Sequence, residues 1–196
     1  MNGPGAEAPY AFRRAVAALG AARPRPEVRL APMPAPRRLA PYAHALEAEV
    51  TVDGAELADG RFILLHSPQG DETWRGDFRV VTLARADLDP ELGADPLLPE
   101  VAWSWLMEAL EGRGLAPLEE SGTVTRAGSY FFGGLGDRPP RTEVELRASW
   151  TPRDPEEAGG HLLAWCALLA QCAGLPPETA GGTVAAFPRR RGPRPV

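Results

Sequence analysis

Apolar and polar positions divide this chain into stretches with helical spacing and stretches that alternate. In Pro9–Leu19, Phe12, Val16 and Leu19 recur at the interval of a helix face. His44–Val52 alternates instead: Leu46, Ala48, Val50 and Val52 point one way, Glu47, Glu49 and Thr51 the other. That predicts a strand with one buried and one wet face. Arg61–His66 (RFILLH) is nearly unbroken apolar sequence, which predicts a central strand covered on both sides. Asp53–Gly60 reads as a turn region, and Ser67–Thr73 carries turn residues throughout. Trp74–Ala84 then returns as a strand, closing a long hairpin over residues 61–84. Two further strands are predicted at Gly122–Phe132 and Thr142–Trp150. In the second, Val144, Leu146, Ala148 and Trp150 alternate with Glu143, Glu145, Arg147 and Ser149.

Two more helices complete the pattern. Pro99–Gly114 (PEVAWSWLMEALEGRG) confines Ser104, Glu108 and Glu111 to a narrow arc. At ~100° per residue its Trp103 and Trp105 point almost opposite ways, so both are expected to be substantially buried, on different sides. The last helix opens with Asp154 as N-cap and Pro155 behind it, and runs to about Ala173 before Gly174 and Pro176. From Leu162 onward only Gln171 is clearly polar. A surface helix normally shows one apolar stripe, so both helices carry more apolar circumference than one sheet can cover. Trp103, Trp105, Leu106, Leu110, Trp165 and Leu169 are therefore the candidates for core or interface.

The expected fold is α+β: a mainly antiparallel five-stranded sheet with helices packed on it, in the order α-β-β-β-α-β-β-α. The same element order occurs in the type III secretion chaperones, dimers that bind client segments. Residues 1–8 are expected as a disordered N-terminus, 9–180 as a single domain and 181–196 as a flexible basic tail. Within the domain, residues 22–41 hold six prolines and predict an extended connector lying over the fold. That connector is one candidate for the missing cover; a second copy of the chain is the other.

Composition removes several chemistries. All 21 basic residues are arginine, so a lysine Schiff base, a pyridoxal phosphate anchor and a phosphate-loop lysine are impossible. The net charge of −5 gives no general attraction to nucleic acid. The basic tail (Arg189, Arg190, Arg191 and Arg194) is the exception, and it makes an RNA-associated accessory role an alternative. No apolar run is long enough for a membrane span and no signal peptide opens the chain, so a cytoplasmic protein is expected.

Candidate chemistry is sparse. His44, His66 and His161 lack metal-ligand spacing, and no metal or cofactor is expected. Cys166 and Cys172 are six residues apart in one helix, ~9 Å at ~1.5 Å rise per residue, beyond disulfide reach. The best pocket candidates are His66, Trp74, Arg75 and Arg79, around which an unrecognised enzymatic site is conceivable. No catalytic residue is assigned. A non-enzymatic interaction module, with a homodimer and an unidentified protein as its possible partners, is the favoured expectation.

Several runs together resemble a known family: RRLAPYAHALEAEV, GRFILLH, Trp74–Thr82, DPLLPEVAWSWL, ELRASWTP and HLLAWCALLAQCAGLPP. They are similar to an actinobacterial family, number three thousand in the domain-of-unknown-function series. The resemblance covers roughly residues 10–180. It implies a cytosolic protein, and it carries no activity, cofactor or site residue.

Overall fold

The computed structural model describes residues 8–88 and 90–177. All but the last residue of the expected N-terminal segment 1–8, and the whole expected tail 181–196 with Arg189, Arg190, Arg191 and Arg194, lie outside the described residues. The chain runs through α1 (Tyr10–Ala21), β1 (Val28–Met33), β2 (Tyr42–Val52), β3 (Ala55–Asp71) and β4 (Gly76–Leu88). It continues through a short α2 (Pro90–Ala94), α3 (Leu98–Glu111), β5 (Leu118–Ser129), β6 (Arg141–Thr151) and α4 (Ala158–Cys172). Among the described residues the strands form one antiparallel sheet in the order β1-β2-β3-β4-β6-β5. The α+β class is as expected. Six strands replace five, and the element order gains a strand and a short helix.

The extra strand comes from the proline-rich segment. Its prolines flank Val28–Met33 except for Pro32, which lies opposite Leu46 in a strand with one neighbour. An edge strand tolerates proline because one row of its backbone groups needs no partner. The segment is thus the sheet's margin rather than a strap across the fold. A second correction concerns Asp53–Gly60. Asp53 and Gly54 alone make the turn, both at positive φ, and Val52 already pairs with Ala55. Asp-Gly is the favoured pair for a two-residue hairpin, so β3 starts six residues earlier than turn composition suggests.

Every described helix lies on one face of the sheet. Even-numbered positions of the central strands point to it: Phe62 and Leu64 of β3, Val80 and Ala84 of β4, and Leu146, Ala148 and Trp150 of β6 are buried. Two glycines let helix tryptophans settle on this face. A Cβ at Gly60 would stand 2.4 Å from the Leu83 carbonyl and 2.7 Å from the Trp165 ring. One at Gly122 would stand 2.4 Å from the Arg147 carbonyl and 2.5 Å from the Trp103 ring.

The central helix is α4, not α3. It packs against β2, β3, β4, α1 and α3, and its Leu162, Trp165, Leu168 and Leu169 are fully buried. Most of its apolar circumference is covered within one chain; Leu163 and Ala167 are left half-buried on a cavity that Pro24 of the proline-rich segment also lines. The Asp154 side chain accepts from the Glu156 N–H at 2.8 Å, capping a 3-10 turn that leads into the helix. α3 buries Leu98, Ala102, Leu106 and Leu110, one residue every four along a single stripe. No described helix is long and apolar enough to cross a membrane.

Candidate interaction surface

The other face of the sheet bears no helix among the described residues. RFILLH was expected to be covered on both sides; instead its even residues meet helices, Arg61 and Ile63 look outward, and Leu65 is buried beside Arg79 on the helix-free side. Ile63, Val81 and Leu83 are half-buried at the centre of this face. The register sets Ile63 beside Val81 and Val81 beside Ser149, which in turn lies beside Ser121. The next row runs Glu47, Arg61, Leu83, Arg147 and Thr123. These residues form a shallow concavity of about 510 Å³, with an aliphatic floor, hydroxyls at one end, and Arg61 and Arg147 at the rim. Arg147 pairs with Glu145 of its own strand at 2.7 Å.

One end of this face is pinned by Arg79, which is buried although it lies on the open side. Its Nη1 donates to the Glu119 carbonyl at 2.9 Å and to Thr151 Oγ1 at 3.2 Å. Its Nη2 donates to Ser149 Oγ at 2.7 Å and Ser121 Oγ at 3.2 Å. Thr151 Oγ1 in turn donates to the Trp74 carbonyl at 2.6 Å. A guanidinium fits here because its rigid fork of five donors can serve several acceptors at once. Burial pulls its pKa below the ordinary arginine value, against the raising influence of Glu119, Glu120 and Asp71. The network holds β5 where its pairing with β6 slips between Leu118 and Ser121 and Glu119 takes a positive φ.

The four pocket candidates do not share one cavity. Trp74 and Arg75 sit in the β3–β4 turn; Arg75, at positive φ, pairs with Glu119 at 2.7 Å. With Arg79 they surround the Glu119 kink. His66 is on the opposite, helix-covered face, stacked between Phe78 at 4.2 Å and Phe12 of α1 at 5.9 Å, with its Nδ1 2.9 Å from the Asp77 carbonyl. Its environment is that of a satisfied core histidine.

Leu106, Leu110, Trp165 and Leu169 are fully buried core residues. Trp103 and Trp105 do lie on different sides of α3, but each is only half-buried. Trp103 rests on Gly122 at the sheet margin. Trp105 borders a cavity of about 250 Å³ between α3 and α4, walled by Cys166, Ala170, Pro24 and Pro177. Neither cysteine is in a disulfide and both are buried; burial pushes the Cys172 thiol up to about 12, so it is protonated and inert.

The family model "Protein of unknown function (DUF3000)" matches residues 8–183, which spans the whole described domain. The chain belongs to this family. No curated protein and no solved structure matches it.

What family members share with this chain is therefore argued from its geometry. The open face offers apolar contact, hydroxyl groups and two guanidinium groups at its rim. Ser121 and Ser149 are 3.2 Å apart, but the group behind them is Arg79, a permanent cation that accepts no proton. Among the described residues no three His, Cys, Asp or Glu side chains gather as a metal-binding group. Sequence reasoning missed Ile63, Val81 and Leu83 as surface. The signal was present in the period-two phase: all three share odd parity with the charged residues assigned to the wet side.

Proposed function

We propose that the chain is a non-enzymatic protein-interaction module of the cytoplasm, which forms a homodimer and offers its open sheet face to a protein partner. The observation that carries this is the aliphatic group Ile63, Val81 and Leu83, contiguous across two strands and left only half-buried on a face that bears no helix among the described residues. An antiparallel sheet with one bare face normally turns polar residues outward. A contiguous apolar patch with a polar rim is instead the mark of a contact surface. The rim supports the same reading: Arg61, Arg147, Glu47 and Glu145 supply both signs of charge, which suits docking of a folded surface better than capture of one ion.

Two measurements test it. Light scattering should give about twice the 21.0 kDa chain mass. Captured from host extract, the wild type should retain a protein that a Val81→Arg variant of equal stability does not. A concentration-independent monomer that retains nothing beyond what Val81→Arg retains would remove the proposal.

A further inference from the structure

The sheet has two margins, and they are treated differently. β1 is six residues long and interrupted by Pro32. β5 is twelve residues long, contains no proline, pairs with β6 alone, and has ten of its residues exposed. A long edge strand presents unpaired backbone donors and acceptors that template pairing with another chain, and monomers blunt such edges with proline, charge, bulges or a covering element. β1 is blunted. β5 is bare over Ser121–Ser129, where its pairing with β6 is regular.

Apolar surface gathers along this margin. Trp103 sits half-buried above Gly122, beside the strand. Where β5 ends, Tyr130 and Phe132 are 70% and 81% exposed, with Leu135 close behind in the same loop. Charge is polarised along the strand as well, with Glu119, itself paired with Arg75, and Glu120 at the start and Arg126 past the middle.

We infer that β5 is the site at which a second copy of this chain docks, antiparallel, its two-fold axis normal to the sheet and close to Thr123. This rests on reading the chain as a homodimeric interaction module, and it says where the copies meet. Antiparallel pairing brings the acidic start of each strand toward the basic half of the other; parallel pairing would oppose like charges. An axis through Thr123 sets Gly122 opposite Val124 of the other copy, so the two Trp103 rings flank the axis and cover each other's exposed sides. A strand of twelve residues is ~40 Å long at ~3.3 Å per residue. That edge, with two aromatic side chains of about 150–250 Å² each, reaches the ~800 Å² per partner of a stable dimer. A two-fold normal to the sheet keeps both open faces on the same side. The product is one twelve-stranded sheet with a doubled docking face.

The test uses the full-length chain carrying single cysteines under mild oxidation, read by non-reducing electrophoresis beside light scattering. The native Cys166 and Cys172 are buried and leave the background low. Thr123→Cys should form a disulfide-linked dimer in about tenfold greater yield than Val81→Cys on the open face, because only residues facing across the two-fold come within ~4.4–6.8 Å between Cα atoms. A dimer by light scattering that cross-links only through Val81→Cys, or through neither, overturns the edge and leaves the homodimer standing. A monomer that fails to cross-link overturns both the edge and the homodimer. Loss of dimer mass in Tyr130→Ser/Phe132→Ser, with an unchanged unfolding midpoint, is the expected supporting result.

Discussion

Val80 and Val81 are consecutive in β4, and they live in different environments. Val80 lies under the helices with no exposed surface; Val81 looks out from the open face and is only half-buried. The same division runs through β3, where Phe62 and Leu64 are sealed and Ile63 is not. On the covered face, apolar burial against α4 holds the fold together, and glycines at 60 and 122 are kept small so that tryptophans can approach. On the open face Arg79, held by hydrogen bonds, is buried beside Leu65, and Ala45 is buried next to Ile63. Hydrophobicity on the first side is explained by stability. On the second it exceeds what stability requires, and that excess is what points to a partner.

The largest effect is expected where the covered face is densest. Trp165 is fully buried, 5.8 Å from the Phe62 ring and directly over Gly60. Trp165→Ala should cost about 3–5 kcal/mol, from lost transfer energy plus the cavity left behind, read as a fall in urea midpoint at constant slope. A midpoint unchanged from wild type would break the picture of α4 as the central element.

Acid should act on the same layer. His161 is fully buried and accepts from Trp150 Nε1–H at its Nδ1, 3.0 Å away. Burial holds its pKa down, from the ordinary 6.5 to about 4. Between those values the unfolded chain takes up a proton that the folded chain refuses, so stability falls as pH drops from above 6.5 toward 4. At 1.36 kcal/mol per pKa unit the loss is on the order of 3 kcal/mol, with none further below about pH 4 from this group. His44, lowered in the same direction by burial, adds to the slope. Urea midpoints measured across pH 4–7 should be markedly flatter for His161→Gln, which keeps an acceptor for the Trp150 N–H; an identical slope would remove His161 as the cause.

The open face has its own structural dependence, smaller and polar. Arg79→Met would leave the Glu119 carbonyl and the hydroxyls of Ser121, Ser149 and Thr151 without their donor, an expected loss of about 1–3 kcal/mol. Faster amide exchange in Glu119–Ser121 than in β3 would place the loss at the β5 kink. Arg79→Lys should recover only part, because one ammonium cannot span four acceptors.

Periodicity made the covered face legible. The alternation in residues 44–52 and 142–150 gave the correct inward residues, and the apolar run of the last helix correctly implied a helix with core contacts on more than one side, with Leu163, Ala167 and Gln171 left as a half-buried stripe. Two things were hidden. An apolar strand reads as doubly covered whether or not anything lies on its second face, because the pattern encodes a wish for cover and not its source; RFILLH reads as doubly covered for that reason. Proline density hid β1, since prolines forbid a central strand but not an edge one. The Arg79 network was invisible because its partners come from two strands, β5 and β6, and no periodic pattern announces the kink at Glu119. Of its members only Arg79 and Trp74 stand out in the sequence.

The finest division between the faces comes from one substitution made twice. Threonine keeps the branched shape and strand preference of valine and replaces a methyl group with a hydroxyl. At Val80 that hydroxyl enters a sealed apolar layer opposite Trp150, and an unpaired buried hydroxyl costs about 1–3 kcal/mol. At Val81 it reaches water, and a change of this kind at an exposed site stays within about 0.5 kcal/mol. Unfolding midpoints of Val80→Thr and Val81→Thr should therefore separate clearly, with only the first displaced from wild type. The binding readout should reverse that order: Val81→Thr weakens partner capture at unchanged stability, while Val80→Thr binds normally once folded. Equal destabilisation at the two positions would mean that the open face is sealed in the isolated chain, and the excess hydrophobicity of Ile63, Val81 and Leu83 would then need no partner to explain it.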